Sequence, residues 1–317
     1  MNNIYNDHPI FDPILFRIWT PHIKVLQESI TKLVWLGTTG AVVVGFSRAG
    51  KTSAFEMIKS NILDRAGNKV PVVVYSVHRR DCKTIKQLYK HIFSKLKLDF
   101  KRNDDYEDFA DKLCMHLAEM ANNTNSKSVV FVVDEAQRLS IAQLDLFAEL
   151  CDVLAQEYSL LLTVIFVGNR EQLKRLLDKI TNGENEHIEG RFFRRKIEFH
   201  GLESLSDVEY CLEQYDKYSS PYSDNPCCTE CFLPEAYADG FRMKSLSTSI
   251  WGVFNEYRKA LHIREWGMEY FIISTKLLLT DFLPQIGVDS YSDDVFKQCI
   301  ELSNLVSDLA KPVKSHD

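Results

Sequence analysis

The 317-residue chain has no run of about eighteen uncharged apolar residues, so no transmembrane helix is expected. Its opening, "MNNIYNDHPIFDPILF", lacks the basic start and apolar stretch of a secretory signal. Without such a leader, the eight scattered cysteines read as reduced thiols rather than a disulfide framework. No internal repeat or low-complexity tract appears. These absences predict a cytoplasmic protein with no membrane partner. Net positive charge is lacking too: the formal charge is −6, which alone does not point to nucleic acid. The charge is uneven, however. Residues 202–240 hold nine acids against the single base Lys217, which leaves the remainder of the chain at +2. A local basic surface is compatible with that balance.

What the chain has in quantity is alternation. Short β-branched runs, "AVVVGF", "VPVVVYSV" (70–77), "SVVFVVDEAQ", "LLTVIFVGN" and "KIEFHGL", are separated by stretches of helical period. In "TIKQLYKHIFSKL", Ile85, Leu88, Ile92 and Leu96 share one helical face. Nearly continuous apolar strands between helices predict an α/β fold with a parallel sheet covered on both faces. A helix is expected from about Pro13 to Leu36, and another near 105–121. After Gly201 the pattern becomes helical, over 204–217, 243–261 and 266–281. The expected division is a helical extension (1–36), a nucleotide-binding core (37–201), a helical lid (202–284) and a C-terminal helix and tail (285–317), frayed beyond about Pro284.

The strongest local signal is Gly45-Phe46-Ser47-Arg48-Ala49-Gly50-Lys51-Thr52, which fits G-x-x-x-x-G-K-[ST]. Glycines let backbone N–H groups curl around a phosphate, and the following helix offers its positive end to the same anion. Lys51 can reach the outer phosphates and the Thr52 hydroxyl can bind Mg²⁺. Gly45, Ser47, Gly50, Lys51, Thr52 and Ser53 are therefore the expected ATP-binding residues. Asp134 ends the apolar run "VVFVVD", where a carboxylate can hold the Mg²⁺, and Glu135 beside it can polarise an attacking water. Asn169, at the end of "VIFVGN", is either a positioner of water or γ-phosphate or a turn residue.

These elements, in this order, resemble the AAA+ class of P-loop ATPases. The resemblance implies a five-stranded parallel core, a helical lid and ATP bound between subunits of a homo-oligomer. It places an arginine finger in "RFFRRKIEF", with Arg191 first and Arg194 second; a solvated patch or a DNA contact is the other reading of those charges. Arg242 in "DGFRMKSLSTSIW" is the candidate lid arginine, with Lys244 as a substitute. More narrowly, "GFSRAGKTSA", "VVFVVDEAQRLS", "VIFVGN" and "RFFRRKIEFHGL" resemble the TnsC/TniB family of transposition ATPases over roughly residues 20–280. That family implies ATP-bound subunits that assemble as a ring or filament on duplex DNA, are loaded by a target-selection factor and recruit the transposase. The acidic, cysteine-bearing stretch "PYSDNPCCTECFLPEAYADG" has no counterpart in that pattern.

Two weaker signals remain. "HRRDCK" places Arg79, Arg80 and Lys83 after a strand, where they are either DNA-phosphate contacts or a solvated cluster. Cys228 and Cys231 have the spacing of a metal knuckle, and Cys227 adjoins them, but no second pair lies nearby to complete four ligands; free thiols are the simpler reading. The competing function is an AAA+ ATPase that acts on protein partners, of secretion or defence type, without DNA. A helicase with two motor cores does not fit one phosphate loop in 317 residues.

Overall fold

The computed structural model describes residues 8–12, 14–78, 84–181, 185–217 and 226–309. They divide into two compact units. An α/β unit holds Val25–Phe46 and Lys51–Phe199; a helical unit holds the residues up to Lys24, Ser47–Gly50, and those from His200 on.

The α/β unit is built on five strands: β1 (Gly40–Gly45), β2 (Val72–Ser76), β3 (Ser128–Asp134), β4 (Leu161–Asn169) and β5 (Lys196–Glu198). Their order is β2-β3-β4-β1-β5 and every pairing is parallel, as the alternating pattern predicted. Every residue of β1 and β3 is buried, which explains their β-branched runs: a strand covered on both faces has no side for polar residues. The helices are α2 (Lys51–Ile58), α3 (Ile85–Leu96), α4 (Tyr106–Asn123), α5 (Ile141–Tyr158), α6 (Arg170–Ile180) and the single turn α7 (Glu186–Ile188), with most of α1 (Pro21–Trp35). Capping boxes start α3 (Thr84 with Gln87), α4 (Asp105 with Asp108) and α5 (Ser140 with Gln143), so side chains satisfy backbone N–H groups that helical bonding leaves open. Phe131, Phe147 and Phe166 are fully buried in its core, each worth about 1.5–3 kcal/mol of transfer.

The first helix begins at Pro21, later than the sequence suggested. Pro21 takes the first helical position, where its missing N–H costs nothing, and Thr20 Oγ1 accepts from Ile23 N at 3.2 Å. Pro13 itself lies outside the described residues.

The helical unit contains α8 (Leu205–Tyr215), α9 (Cys228–Phe232), α10 (Pro234–Ala238), α11 (Ser247–Ala260), α12 (Met268–Leu277), α13 (Leu283–Ile286), α14 (Asp293–Leu302) and α15 (Leu305–Leu309). Its core is centred on Trp266, which stacks on Phe254 with centroids 4.3 Å apart. The fraying expected beyond Pro284 is corrected. The chain turns at Gly287 (φ 79°), and α14 buries Phe296, Cys299 and Ile300 in that core, an apolar stripe at helical spacing. Residues 310–317 lie outside the described residues. Among the described residues, no helix is long and apolar enough to cross a membrane.

Candidate nucleotide site

Strand order and register bring three strand ends together. β4 lies between β3 and β1, with Gly45 opposite Asn169 and Val133 opposite Phe166, so Gly45, Asp134 and Asn169 share the carboxyl edge of the sheet. That edge is where open α/β sheets bind ligands.

Gly45 is fixed by close approach: a Cβ there would lie 2.3 Å from the Phe199 carbonyl oxygen. Gly50 has φ +95°, a left-handed conformation that only glycine adopts without strain. Between them the chain curls, and Lys51 opens α2. Its Nζ donates to the Gly45 carbonyl at 3.1 Å and the Phe46 carbonyl at 2.6 Å, so the ammonium folds back over its own loop. Thr52 Oγ1 donates to Asp134 Oδ2 at 2.6 Å, across 82 residues of sequence. Asp134 is only 4% exposed, and its other oxygen accepts from Glu135 N at 2.9 Å. Ser53 is exposed in the first turn of α2, which carries no acidic residue. A glycine-lined curl, a helix N-terminus without negative charge and an ammonium suit a polyphosphate. A hydroxyl beside a buried carboxylate suits Mg²⁺, which takes oxygen donors.

Glu135 sits in the left-handed region (φ 59°). Its carboxylate is held by Arg138 at 2.6 Å and by Gln137 Nε2 at 3.1 Å. Gln137 Nε2 is also 3.0 Å from Gln172 Oε1, and Arg138 NH1 donates to the Val77 carbonyl at 2.6 Å. A Cβ on Gly168 would lie 2.5 Å from Gln137 Oε1, the movable end of that side chain. Asn169 Oδ1 accepts from Glu171 N at 3.0 Å and so caps α6. Next to it, Arg170 pairs with Glu198 and lies over the Phe46 ring at 5.1 Å. Sequence reasoning singled out none of Gln137, Arg138 and Arg170. The one available signal was position, since each lies within four residues of a strand-end polar group.

The two finger candidates differ. Arg191 lies in a π-helical turn, Glu189–Phe193. Its NH1 donates to Asp152 Oδ1 at 2.8 Å and to the Ala148 carbonyl at 3.1 Å, and the bond to Asp152 raises its pKa. Arg194 is exposed and makes no ion pair among the described residues.

Ser47 and Gly50 group with the helical unit, as does Arg48 between them. Arg48 pairs with Glu269 at 2.6 Å and with Asp308 at 3.1 Å, a clamp that sequence reasoning missed. Arg242, also in the helical unit, donates to the carbonyls of Tyr237 (2.9 Å) and Phe241 (2.6 Å) and lies 3.5 Å over the Tyr237 ring. Lys244 Nζ is 3.7 Å from Glu213. Arg79, Arg80 and Lys83 fall outside the described residues. Cys227 and Cys228 are buried, Cys231 is half-buried, and none belongs to a metal-ligand cluster among the described residues. Burial pushes the Cys228 and Cys231 thiols up, which favours the protonated form.

Residues 37–177 match the AAA domain. The chain therefore carries an AAA-type P-loop ATPase domain, and its fold is that of the AAA+ class. Among solved structures it is similar to the ORC2 protein of Aeropyrum pernix in ADPNP–ADP complexes, at 14% identity over 94% of this chain and 72% of that chain, with a TM-score of 0.61. It is also similar to Drosophila ORC bound to DNA, at 14% identity over 93% of this chain and 68% of that chain, with a TM-score of 0.53. At that identity the likeness is one of fold. No curated protein sequence matches the chain.

Proposed function

We propose that this ATPase is an ATP-dependent, DNA-binding regulator of transposition. ATP-bound subunits assemble on duplex target DNA, a target-selection factor loads them, and the assembly recruits the transposase until hydrolysis dismantles it. The observation that carries the ATP half of this reading is the Thr52–Asp134 contact at 2.6 Å beside Glu135 and Lys51. The transposition half rests on the four motifs that resemble the TnsC/TniB family; the fold shared with an ORC bound to DNA is compatible with it.

ATP supplies the transferable phosphoryl group, and Mg²⁺ neutralises charge on it. The chain's residues supply the rest. Lys51 and the loop amides bind the phosphates, and Thr52 with Asp134 holds the metal. Glu135 orients a water and takes up its proton, after exchanging Arg138 for that water. Asn169 orients the same water. An arginine from a neighbouring subunit reaches the γ-phosphate; Arg194 suits this better than Arg191, because its guanidinium is exposed while Arg191 is held by Asp152. Arg242 senses the nucleotide from the lid. Arg79, Arg80 and Lys83 contact DNA phosphates.

Electron microscopy of the full chain on a random-sequence duplex tests this, with ATP, with a non-hydrolysable analogue and without nucleotide. Rings or filaments that need both nucleotide and DNA are expected. ATPase activity without any DNA-dependent assembly would overturn the reading and favour an ATPase that acts on protein partners.

A further inference from the structure

The chain enters the helical unit through His200-Gly201-Leu202-Glu203, and an antiparallel bridge clamps this entry against the segment before α12. Leu202 N donates to the Trp266 carbonyl at 2.9 Å and Trp266 N to the Leu202 carbonyl at 2.8 Å. Gly201 permits the approach: a Cβ there would lie 2.2 Å from the Trp266 carbonyl oxygen. The register has a consequence for charge. Next to the bridge, one on each of its two sides, are Glu203 and Glu265, whose ligand oxygens lie within 4.8 Å of each other. Like charges directly opposite each other destabilise a strand pair. Neither glutamate is ion-paired to lysine or arginine among the described residues; His200 contacts both, and the His22 ring lies 5.8 Å from that of His200.

His200 reaches both carboxylates with one nitrogen. Its Nδ1 is 3.1 Å from Glu265 Oε2 and 3.2 Å from Glu203 Oε1. One ring nitrogen carries at most one proton, so one N–H is divided between two carboxylates. Glu265 is 9% exposed, and its second oxygen, Oε1, is buried with no hydrogen-bond partner. A buried carboxylate oxygen without a donor is costly. The cluster lacks a donor at one point, and its three ligand atoms lie within 4.8 Å of one another.

We propose that His200, Glu203 and Glu265 bind a divalent cation of the zinc class. Ligand atoms at about 2.1 Å from a tetrahedral zinc are about 3.4 Å apart, close to the 3.1 and 3.2 Å that separate His200 Nδ1 from the two carboxylates. An imidazole nitrogen with carboxylate oxygens suits zinc, whereas Mg²⁺ prefers an all-oxygen shell. Three protein ligands leave a fourth position for water. Glu203, with its side chain 42% exposed, provides a path for entry. The ion screens the two glutamates and staples the entry strand to the segment before α12. Its ligands are separate from Thr52 and Asp134, which would hold Mg²⁺.

The test is calorimetric titration of the full chain, stripped with a chelator and free of nucleotide, with ZnCl₂. We expect saturable binding that Glu203→Gln and Glu265→Gln each weaken about tenfold or more. Zn²⁺ should raise the melting temperature of the wild type but not of Glu203→Gln, and Mg²⁺ alone should leave both unmoved. X-ray absorption should show nitrogen and oxygen ligands only. If Glu265→Gln fails to fold, Glu203→Gln decides alone, since its side chain reaches solvent. Three results overturn the proposal: no uptake by the wild type, uptake that neither substitution changes, or a zinc–sulfur distance of about 2.3 Å, which would place the ion on the cysteines.

Discussion

The carboxyl edge of the sheet and the entry to the helical unit both gather charged side chains, but they do so differently. At the sheet edge each functional group sits at, or one residue beyond, the end of a buried strand: Gly45 ends β1, Asp134 ends β3 with Glu135 just beyond it, and Asn169 ends β4. Sheet topology does the assembling, so each short motif announces its own part of the site. In the helical unit, His22, His200, Glu203, Asp207 and Glu265 come from three separate stretches of chain. His22 Nε2 lies 3.7 Å from Asp207, and the His22 and His200 rings are 5.8 Å apart. No motif names such a cluster, because its members meet through one bridge and one helix start. A strand end is a fixed address; a helical surface is not.

Substitutions should separate the two regions. The largest effect is expected at Lys51, whose ammonium already bonds two loop carbonyls and would bind phosphate oxygens in their place. Lys51→Ala should weaken ATP binding about tenfold to a hundredfold, the worth of a hydrogen bond to a charged group, while leaving the melting temperature near that of the wild type. A fluorescent-nucleotide titration measures it. Next is Glu135→Gln, which should lower kcat by about a hundredfold or more and leave nucleotide affinity within a few-fold. Trapped assemblies on DNA should accompany it. If steady-state hydrolysis survives Glu135→Gln, the water is oriented by another group and Glu135 serves only its pair with Arg138.

Gly45→Ala addresses the same edge through packing. The added methyl meets a backbone oxygen at 2.3 Å that has no rotamer to move away. A loss of about 1–3 kcal/mol in a urea midpoint is expected, with nucleotide binding reduced as β1 shifts. An unchanged midpoint would mean that the strand end relaxes freely.

The sheet, its parallel sense and the chemistry of its edge were legible in the sequence because burial on both faces leaves a continuous apolar run and strand ends fall at fixed places. The supporting residues were not. Gln137 acts through Gln172, Arg138 through Val77 and Arg170 through Glu198, partners 28 to 61 residues away. Composition carries no trace of such pairings. Asn169 was read as a sensor or a turn residue, and its carboxamide caps α6; a capping bond and a strand-end position look alike in sequence. A C-terminal helix was expected within 285–317 but as part of a frayed tail; Phe296, Cys299 and Ile300 of α14 are buried. Arg48 shows the converse. An unspecified position of the phosphate-loop pattern is held by Glu269 and Asp308, which no local reading anticipates.

The smallest expected effect lies in the helical unit and has a pH signature. Burial would raise the Asp207 pKa, but contacts with His22, the Glu203 amide and Ser204 outweigh it and bring it down to about 2. Its unfolded value is about 3.9, so the stabilisation is complete above that value and is lost as pH falls toward the folded one. His22 runs the other way. Burial opposes its charging, yet Asp207, Glu203 and Glu265 outweigh that and raise its pKa above 6.5. Its contribution is complete below the unfolded value and is lost as pH rises through the raised one. Both contributions are therefore present together between about pH 4 and 6.5. With chelator present, Asp207→Asn should lower stability by about 1 kcal/mol in that window, after allowance for solvent screening, and less on either side. Urea midpoints measured from acid to alkaline pH decide the matter: curves for the wild type and Asp207→Asn that stay parallel throughout would show that the pair contributes nothing, and that Asp207 serves only to cap α8.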